Sequence, residues 1–560
     1  MMKNEELVFL PLGGVGEIGM NMALYGYGSP SSRKWIMIDC GVSFPKDDLP
    51  GVDLVFPDIT FIMKERKNLM AIFITHAHED HYGALHDLWS FLHVPVYASP
   101  FAIGLLEAKR VYECVSKKIP CISFQAGDKV DVGAFSIESV RVNHSIPETM
   151  ALVIRSPVGN IVHTGDWKLD DDAILGDVTD KDSLCAIGNE GILALMCDST
   201  NAMREGTCIS EKGIKKNIYD IMKNAKGCVL VTTFSSSVSR IRSIIDIAEQ
   251  IGRKIVLLGS SLKRVVSVAI DVGIIKKDQL FLSDESFGLY PREQLIVIAT
   301  GSQGEPRSAL AQLSRGEMRN VKLAEKDTVI FSSRAIPGNE VAIGHIKNRL
   351  VEQGVRVIAE DAECPVHVSG HPYPNDLKRM YQWIRPQVLV AIHGEPLHLV
   401  AHKELALQEG IACVPPVRNG KMLRLFPDPI EIIDEVVHGL FLKDGFLIGK
   451  FADLGIAKRR QLSFVGHLSV NVLLDNHYNI FGVPEIVDIG IPAYDGDGGK
   501  IHKLLLKTVI TTVVDLPQFR RKDLKLLRES ISSALRSLLK KVWGKKPLVT
   551  VFINKISRQR

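Results

Sequence analysis

The sequence predicts an α/β protein: two packed sheets with helices outside them, an inserted α/β unit, and a small α+β domain towards the C-terminal end. Three observations carry this. Short β-type runs recur through the first part of the chain, with few helical patterns between them. From about residue 210 to about residue 360, helical patterns alternate with short apolar runs. From about residue 462, short strands return with one long amphipathic helix.

The early runs are LVFLPL, KWIMIDC, AIFIT, VPVYAS, FSIESVRV, ALVIRS, NIVHT and ILALMC. Gly, Pro, Asp and Asn punctuate them, as expected of strands bounded by turns. LHDLWSFL and AIGLLEAKRVYE are the helical patterns of this part. Many strands with sparse helices suit two sheets covered on their outer faces. In the insert, GIKKNIYDIMKNA, SRIRSIIDIAEQIG and RVVSVAIDVG have helical periodicity. CVLVTTF, KIVLLGS, QLIVIAT and DTVIFSS between them read as buried parallel strands. Sheet-and-loop texture resumes at VLVAIHGE, and a turn-rich stretch follows at 441–455. The last part holds the helical RRKDLKLLRESISSALRSLLKKVW and a final strand, PLVTVFI. The apolar positions of that helix are Leu524, Leu527, Ile531, Leu535 and Leu538, so one face must be buried, within the small domain or against a second subunit.

At 560 residues the chain is long enough for about three or four domains. Hydrophobic residues at 46% and charged residues at 24% exclude a disordered, collagen-like or coiled-coil chain. The net charge of +4 is unevenly spread. Residues 501–560 hold 9 Lys and 6 Arg against 2 Asp and 1 Glu, which is +12, so the first 500 residues carry −8. A basic tail on a mildly acidic body suits an anionic partner such as nucleic acid, and a solvated basic face fits the same count. Nine dispersed cysteines without a CxxC pair argue against a disulfide framework or a thiolate zinc site. The start, MMKNEELVFLPLGG, is acidic where a signal peptide is basic. No apolar run approaches the roughly 18 residues needed to span a bilayer. A reducing, cytoplasmic location with no membrane association is the expectation.

The strongest local signal is THAHEDH, residues 75–81, between the strand-like AIFIT and a helical pattern. His76 and His78 alternate at strand spacing, so both imidazoles can face one point. Asp80 and His81 lie on the turn into the helix and can face a second point beside the first. Imidazole and carboxylate suit Zn²⁺ or Mn²⁺. His144 and Asp166 end strands in the same way, after IESVRVN and NIVHTG.

These positions, with Asp39 in MIDCG, resemble the pattern of the metallo-β-lactamase superfamily. The resemblance implies an αββα sandwich with a two-metal site at one sheet edge. It implies that His76, His78 and His144 hold one metal, that Asp80 and His81 hold the other, and that Asp166 bridges them. Asp39 is then expected to orient ligands by hydrogen bonds. The expected cofactors are two Zn²⁺ per chain, with Mn²⁺ or Mg²⁺ as alternatives.

The later motifs narrow this further. Asp198 in MCDSTN, His371 in HVSGH and His393 in AIHGE match motifs of the β-CASP nucleases. GSQGEP (301–306) and SSRAIPGNE (332–340) match as well, and over nearly the whole chain the sequence resembles the bacterial ribonuclease J family. The implied domains are a metallo-β-lactamase domain in two parts (1–208 and 367–447), a β-CASP domain (209–366), a linker (448–462) and a C-terminal domain (463–560).

By this resemblance His393 is the last ligand of the second metal. Asp198, His371 and Asp80 are the catalytic residues, with His371 protonating the leaving 3′ oxygen with help from Asp198. A purely structural His–Asp hydrogen bond is the bland reading of that pair. The segment His367, Val368, Ser369, Gly370 and His371 offers imidazoles, a hydroxyl and backbone amides, which suits a phosphate cradle. In the family it binds RNA phosphate, including the 5′-monophosphate end. Ser236 and Ser237 in TFSSSVSR (233–240) match a second phosphate-contact loop. The glycines of GSQGE can form a phosphate nest or a plain tight turn.

The implied activity is 5′-to-3′ exonuclease, preferring a 5′-monophosphate, together with endonuclease, in RNA decay and rRNA and mRNA maturation. A purely endonucleolytic β-CASP RNase and a small-molecule metallo-hydrolase are the alternatives. The implied partners are single-stranded RNA, a homodimer or homotetramer of the chain itself, and other RNA-degradation proteins.

Overall fold

The computed structural model describes residues 5–556 apart from 116, 177, 208, 277–280, 337, 360–363 and 415–416. Cys208, and Pro337 of the SSRAIPGNE segment, therefore lie outside the described residues. The chain divides into two units, residues 1–43 with 55–441 and residues 44–54 with 442–560.

In the first unit an eight-stranded sheet runs in the order Glu431–Glu435, Lys421–Phe426, Glu6–Gly13, Met22–Gly28, Lys34–Ile38, Leu69–Phe73, Val96–Ala98, Cys121–Ser123. A seven-stranded sheet runs Ala412–Cys413, Val388–Ile392, Ile192–Asp198, Gly159–His163, Met150–Ser156, Phe135–Arg141, Lys129–Val132. Period-two alternation decides how these sheets pack. On Met150–Ser156, the side chains of Met150, Leu152 and Ile154 join Leu7, Phe9, Tyr25 and Ile36 in the core between the sheets. Ala151 and Val153 face the other way, with Leu184 and Ile187 of the helix Lys181–Asn189 and Leu377 and Met380 of the helix Pro374–Ile384. Burying each such side chain contributes about 1.5–3 kcal/mol relative to exposure.

Strand direction positions the site. Gly159–His163, Ile192–Asp198 and Val388–Ile392 pair in parallel, so their carboxyl ends share one edge. Phe135–Arg141 runs the same way, because two antiparallel pairings separate it from Gly159–His163. His144, Asp166, Asp198 and His393 all lie at or just past these ends.

The chain leaves this sheet after Ile192–Asp198 and returns in its parallel neighbour Val388–Ile392. Between them a six-stranded, all-parallel sheet forms in the order Phe281–Leu282, Lys254–Leu258, Leu295–Ala299, Val229–Thr232, Thr328–Phe331, Arg356–Ile358. Its central strands are buried throughout, which is why they read as unbroken apolar runs rather than alternating ones.

The second unit holds a three-stranded sheet in which His467–Leu474 pairs antiparallel with Glu485–Ile489 and parallel with Leu548–Lys555. Two helices, Ile501–Asp515 and Leu524–Trp543, cover it. The long helical pattern starts later than its sequence suggested. Asp523 accepts from the amides of Lys525 and Leu526, so the helix begins at Leu524 and Gln518–Arg521 is a separate turn. Leu527, Ile531, Leu535 and Leu539 are fully buried within this unit, while Leu524 and Leu538 are only partly so. The stretch 448–462, expected as a linker, belongs to this unit and contains the first turns of the helix Ile456–Val465. Among the described residues, no helix is long and apolar enough to cross a membrane.

Candidate metal centre

Among the described residues, three candidate ligand groups meet at the shared strand edge. They are His76, His78, His144 and Asp166; Asp80, His81, Asp166 and His393; and Asp166, Asp198, His371 and His393. Asp166 belongs to all three. In the first group, Nδ1 of His78 lies 3.1 Å from Nε2 of His76 and 3.0 Å from Nε2 of His144. Asp166 Oδ2 lies 3.7 Å and 3.8 Å from those two Nε2 atoms. In the second group, His81 Nε2 lies 3.3 Å from Asp166 Oδ2 and 3.6 Å from Asp80 Oδ2. His393 Nε2 lies 3.5 Å from Asp80 Oδ2.

The sequence folds this way for local reasons. The turn Thr164–Gly165–Asp166 passes close to Thr75. A Cβ on Gly165, whose φ is +57°, would lie 2.9 Å from Thr75 Cβ, so glycine allows the approach. Asp39 and His393 themselves have left-handed backbone, φ 62° and 48°, which side-chain-bearing residues adopt at a cost.

The far nitrogen of most rings is already held, which fixes the ring and turns its other nitrogen inward. His81 Nδ1 donates to Asp39 Oδ2 at 2.7 Å. Asp39 also accepts from the amide and hydroxyl of Thr75. His76 Nδ1 donates to Thr75 Oγ1 at 3.0 Å, and His144 Nδ1 donates to the carbonyl of Gly370 at 2.6 Å. His393 Nδ1 donates to Thr200 Oγ1 at 2.9 Å, and that hydroxyl donates to Asp198 Oδ1 at 2.7 Å.

These donors fit a cation. Four ligands about 2.0–2.1 Å from a tetrahedral zinc stand roughly 3.3 Å apart, close to the separations seen. Asp166 Oδ1 is buried with no hydrogen-bond partner among the described residues, an expense that a cation would relieve. Burial lowers the pKa of His76 and His144, and takes His78 down to about 4, so their nitrogens keep free lone pairs. Burial opposes ionisation of Asp166, but His393, His81 and His371 outweigh it and hold the carboxyl well below its usual range. Burial also lowers His393, yet Asp166, Asp198 and Asp80 push it up to about 10. Buried carboxylates that draw protons onto neighbouring imidazoles offer the same field to a divalent ion.

Beside this centre, Asp198 Oδ2 lies 2.8 Å from Nδ1 of His371, and the His371 ring stacks on His393 at 5.5 Å. Ser369 and His371 are held together by Asn201, whose Nδ2 donates to Ser369 Oγ at 2.8 Å and to the His371 carbonyl at 3.0 Å. The side chain of Val368 is buried, so only its backbone can face a ligand. Burial and the charges of Arg240 and Arg334 take His367 down to about 3, leaving it neutral.

Ser236 and Ser237 form the turn that opens the helix Val238–Ile251. An indirect link joins this turn to the HVSGH segment. Arg240 of that helix is buried and donates to the Val366 carbonyl at 2.8 Å and to Glu211 Oε2 at 3.0 Å. GSQGE is a turn whose Gln303 braces the SSRAIPGNE segment, donating to the Arg334 carbonyl at 2.8 Å and accepting from the Ile336 amide at 2.8 Å. Thr75, Thr200, Asn201 and Arg240 were not among the site residues expected from sequence. Thr200 and Asn201 follow Asp198 in MCDSTN, and that adjacency was the available signal.

An αββα sandwich with His and Asp groups at one edge defines a metallo-hydrolase of the β-lactamase superfamily. Comparison with known proteins agrees. Residues 34–188 match a β-lactamase superfamily domain, residues 226–350 a ribonuclease J β-CASP domain, residues 354–416 a Zn-dependent metallo-hydrolase RNA specificity domain, and residues 454–556 a ribonuclease J C-terminal domain. The chain is 57% identical to ribonuclease J of Sinorhizobium meliloti over 99% of its length and 98% of that protein. It is 33% identical to ribonuclease J of Thermus thermophilus, covering 97% and 94%, and 30% identical to ribonuclease J2 of Bacillus subtilis, covering 99% and 100%. A crystal structure of a protein of unknown function from Enterococcus faecalis shares the fold, with a TM-score of 0.53 at 18% identity over 75% of this chain and 100% of that one. The chain belongs to the ribonuclease J family.

Proposed function

We propose that the chain is a metal-dependent ribonuclease that removes nucleotides from 5′ to 3′, prefers a 5′-monophosphate end, and also cuts internally. Its role is RNA decay and the maturation of rRNA and mRNA in the cytoplasm, as a homodimer or homotetramer. The observation that carries this is the buried Asp166 carboxylate, set between two imidazole groups with the Asp198–His371 pair beside it.

In this reading His76, His78 and His144 would hold one Zn²⁺ and Asp80, His81 and His393 a second, with Asp166 belonging to both groups. When bound, the metals supply Lewis acidity, drawing charge from phosphate oxygens and lowering the pKa of a water. The chain's own residues do the rest. Burial pulls the His371 pKa down, but the charges of Asp198 and Asp166 outweigh it and raise it, which favours the protonated ring. A protonated His371 can deliver that proton to the leaving 3′ oxygen. Ser369, the amides near Gly370, and His367 bind the phosphate, and Ser236 and Ser237 contact the RNA backbone. Cleavage leaves a 5′-phosphate, the same end the cradle takes, so removal can repeat.

The test is one RNA bearing a 5′-hydroxyl, monophosphate or triphosphate, with products sized and metal measured. Stepwise mononucleotide release from the monophosphate, loss of activity in chelator and two metals per chain are expected. Ser369→Ala should weaken the monophosphate preference. Equal rates on all three ends would remove the cradle assignment, and an active preparation without metal would sink the mechanism.

A further inference from the structure

A groove of about 630 Å³ opens on the second unit between the helix Leu524–Trp543 and the strand Leu548–Lys555. That volume is within the roughly 300–1,000 Å³ range of ligand sites. Among the described residues, three cations line it, Arg528, Arg536 and Lys546, against a single carboxylate, Glu529. Among the described residues, the side chains of the three cations make no hydrogen bond or ion pair. All three are exposed. Arg528 and Arg536 stand two helical turns apart, roughly 12 Å along the axis, with Ser532 between them. Thr550 faces them from the strand.

We infer that this groove is a second RNA-binding site, one on the second unit that holds the phosphodiester backbone of single-stranded RNA. The inference rests on the ribonuclease reading. Unpaired guanidinium and ammonium groups with hydroxyl donors between them are the groups that contact phosphate oxygens. Among the described residues no aromatic ring lines the groove, so the contacts there are to the backbone, which carries no sequence information. Charge complementarity favours a polyanion over the same face of a second copy, which would set the three cations against themselves, and a phosphodiester backbone is far denser in negative charge than the rest of the chain, at −8 over 500 residues. The groove lies in the 60-residue segment that carries +12, while the rest of the chain carries −8. It gives that segment a defined contact surface for RNA.

The test compares the full-length chain with a variant carrying Arg528→Gln, Arg536→Gln and Lys546→Gln together. Kinetics on a 5-nucleotide 5′-monophosphate RNA should be unchanged, because the three residues belong to the second unit and none of them lies among the catalytic residues. Binding of a 30-nucleotide RNA, measured by anisotropy in a His371→Ala background, should weaken about tenfold at low salt. The slope of log K against log salt should fall by about 2, since single strands release roughly 0.7 counterions per phosphate contact. Glu529→Gln should tighten binding of the long RNA, a gain that misfolding cannot produce. Unchanged affinity and salt slope in the triple variant would overturn the assignment. So would a drop in molecular mass by light scattering accompanying the weaker binding, because the face would then be an interface between copies. If the parent cleaves no RNA, the ribonuclease reading fails instead; if it cleaves normally while both variants bind like the parent, only the groove fails.

Discussion

The carbonyl of Gly370 accepts a 2.6 Å hydrogen bond from Nδ1 of His144, so the proposed phosphate cradle and the proposed metal centre share one contact. The backbone can come that close only because residue 370 has no side chain. A Cβ there would lie 2.6 Å from Cε1 of His144 and 2.7 Å from its Nδ1. Both distances are shorter than real Cβ contacts, so one partner would have to move.

Gly370→Ala should therefore push the His144 ring off its line. Metal content should fall and turnover should drop about 10–100-fold, the usual effect of losing a partner that orients a ligand. Metal analysis together with steady-state kinetics checks this. Full metal occupancy with parental turnover would show that the loop yields without disturbing His144.

His371→Ala should lower turnover about 10²–10⁴-fold while leaving RNA binding nearly intact, because it removes the proposed proton donor to the leaving oxygen. Asp198→Asn tests the pairing separately. Burial pulls the His371 pKa down and Asp198 is the largest influence holding it up. Without that charge His371 loses its proton at lower pH, so the alkaline limb of kcat/KM should move to lower pH. An unmoved limb would mean that another group supplies the proton.

The proposed metal ligands were legible because they sit close together in sequence or end strands of recognisable type. His76, His78, Asp80 and His81 fall within six residues, so their spacing alone carries information. Thr200 and Asn201 did not stand out, because what they hold lies 168–193 residues away at Ser369, His371 and His393. The insert's strands were legible as apolar runs, since a parallel sheet buried on both faces needs no alternation. The helix Ile501–Asp515 was missed because Val, Ile and Thr fill its second half, and β-branched residues read as strand. Its burial of Leu505, Val509 and Val513 on one side outweighs that preference.

Acid should weaken the fold through His402. This ring is buried, lies 2.8 Å from Ser199 Oγ, and stacks on Tyr381. Burial takes its pKa down to about 4, with Asp198 opposing. In the unfolded chain a histidine ionises near pH 6.5. Below that pH the unfolded state binds a proton that the folded state refuses. The stability that neutral His402 provides is therefore complete above pH 6.5 and is lost as pH falls towards about 4. Between pH 7 and 5 the loss is roughly 2 kcal/mol for this one group. His402→Gln should flatten that share of the dependence, read from urea midpoints at the two pH values. Parallel slopes in parent and variant would show that other groups govern the acid limb.

Arg240 makes the last prediction. It is 1% exposed, and its guanidinium joins three segments: Glu211 at the start of one helix, Ser332 at the end of a strand, and the Val366 carbonyl just before HVSGH. Glu211 is also 3.9 Å from Lys168, which pairs with Asp170 at 3.0 Å. Arg240→Met would leave Glu211 buried with one distant cation and the Val366 carbonyl without this donor. Breaking a buried pair from one side costs about 3–5 kcal/mol. Arg240→Lys keeps the charge but not the planar fork that reaches several acceptors at once, so its loss should be smaller. The functional consequence follows from Val366, because loosening it frees the segment that carries His367 and Ser369. Both variants should lose preference for 5′-monophosphate over 5′-hydroxyl RNA, in proportion to the stability each loses. Urea unfolding and the ratio of kcat/KM on the two RNAs measure the two effects independently. A variant that loses stability but keeps the full ratio would confine Arg240 to holding the fold, with no part in shaping the cradle.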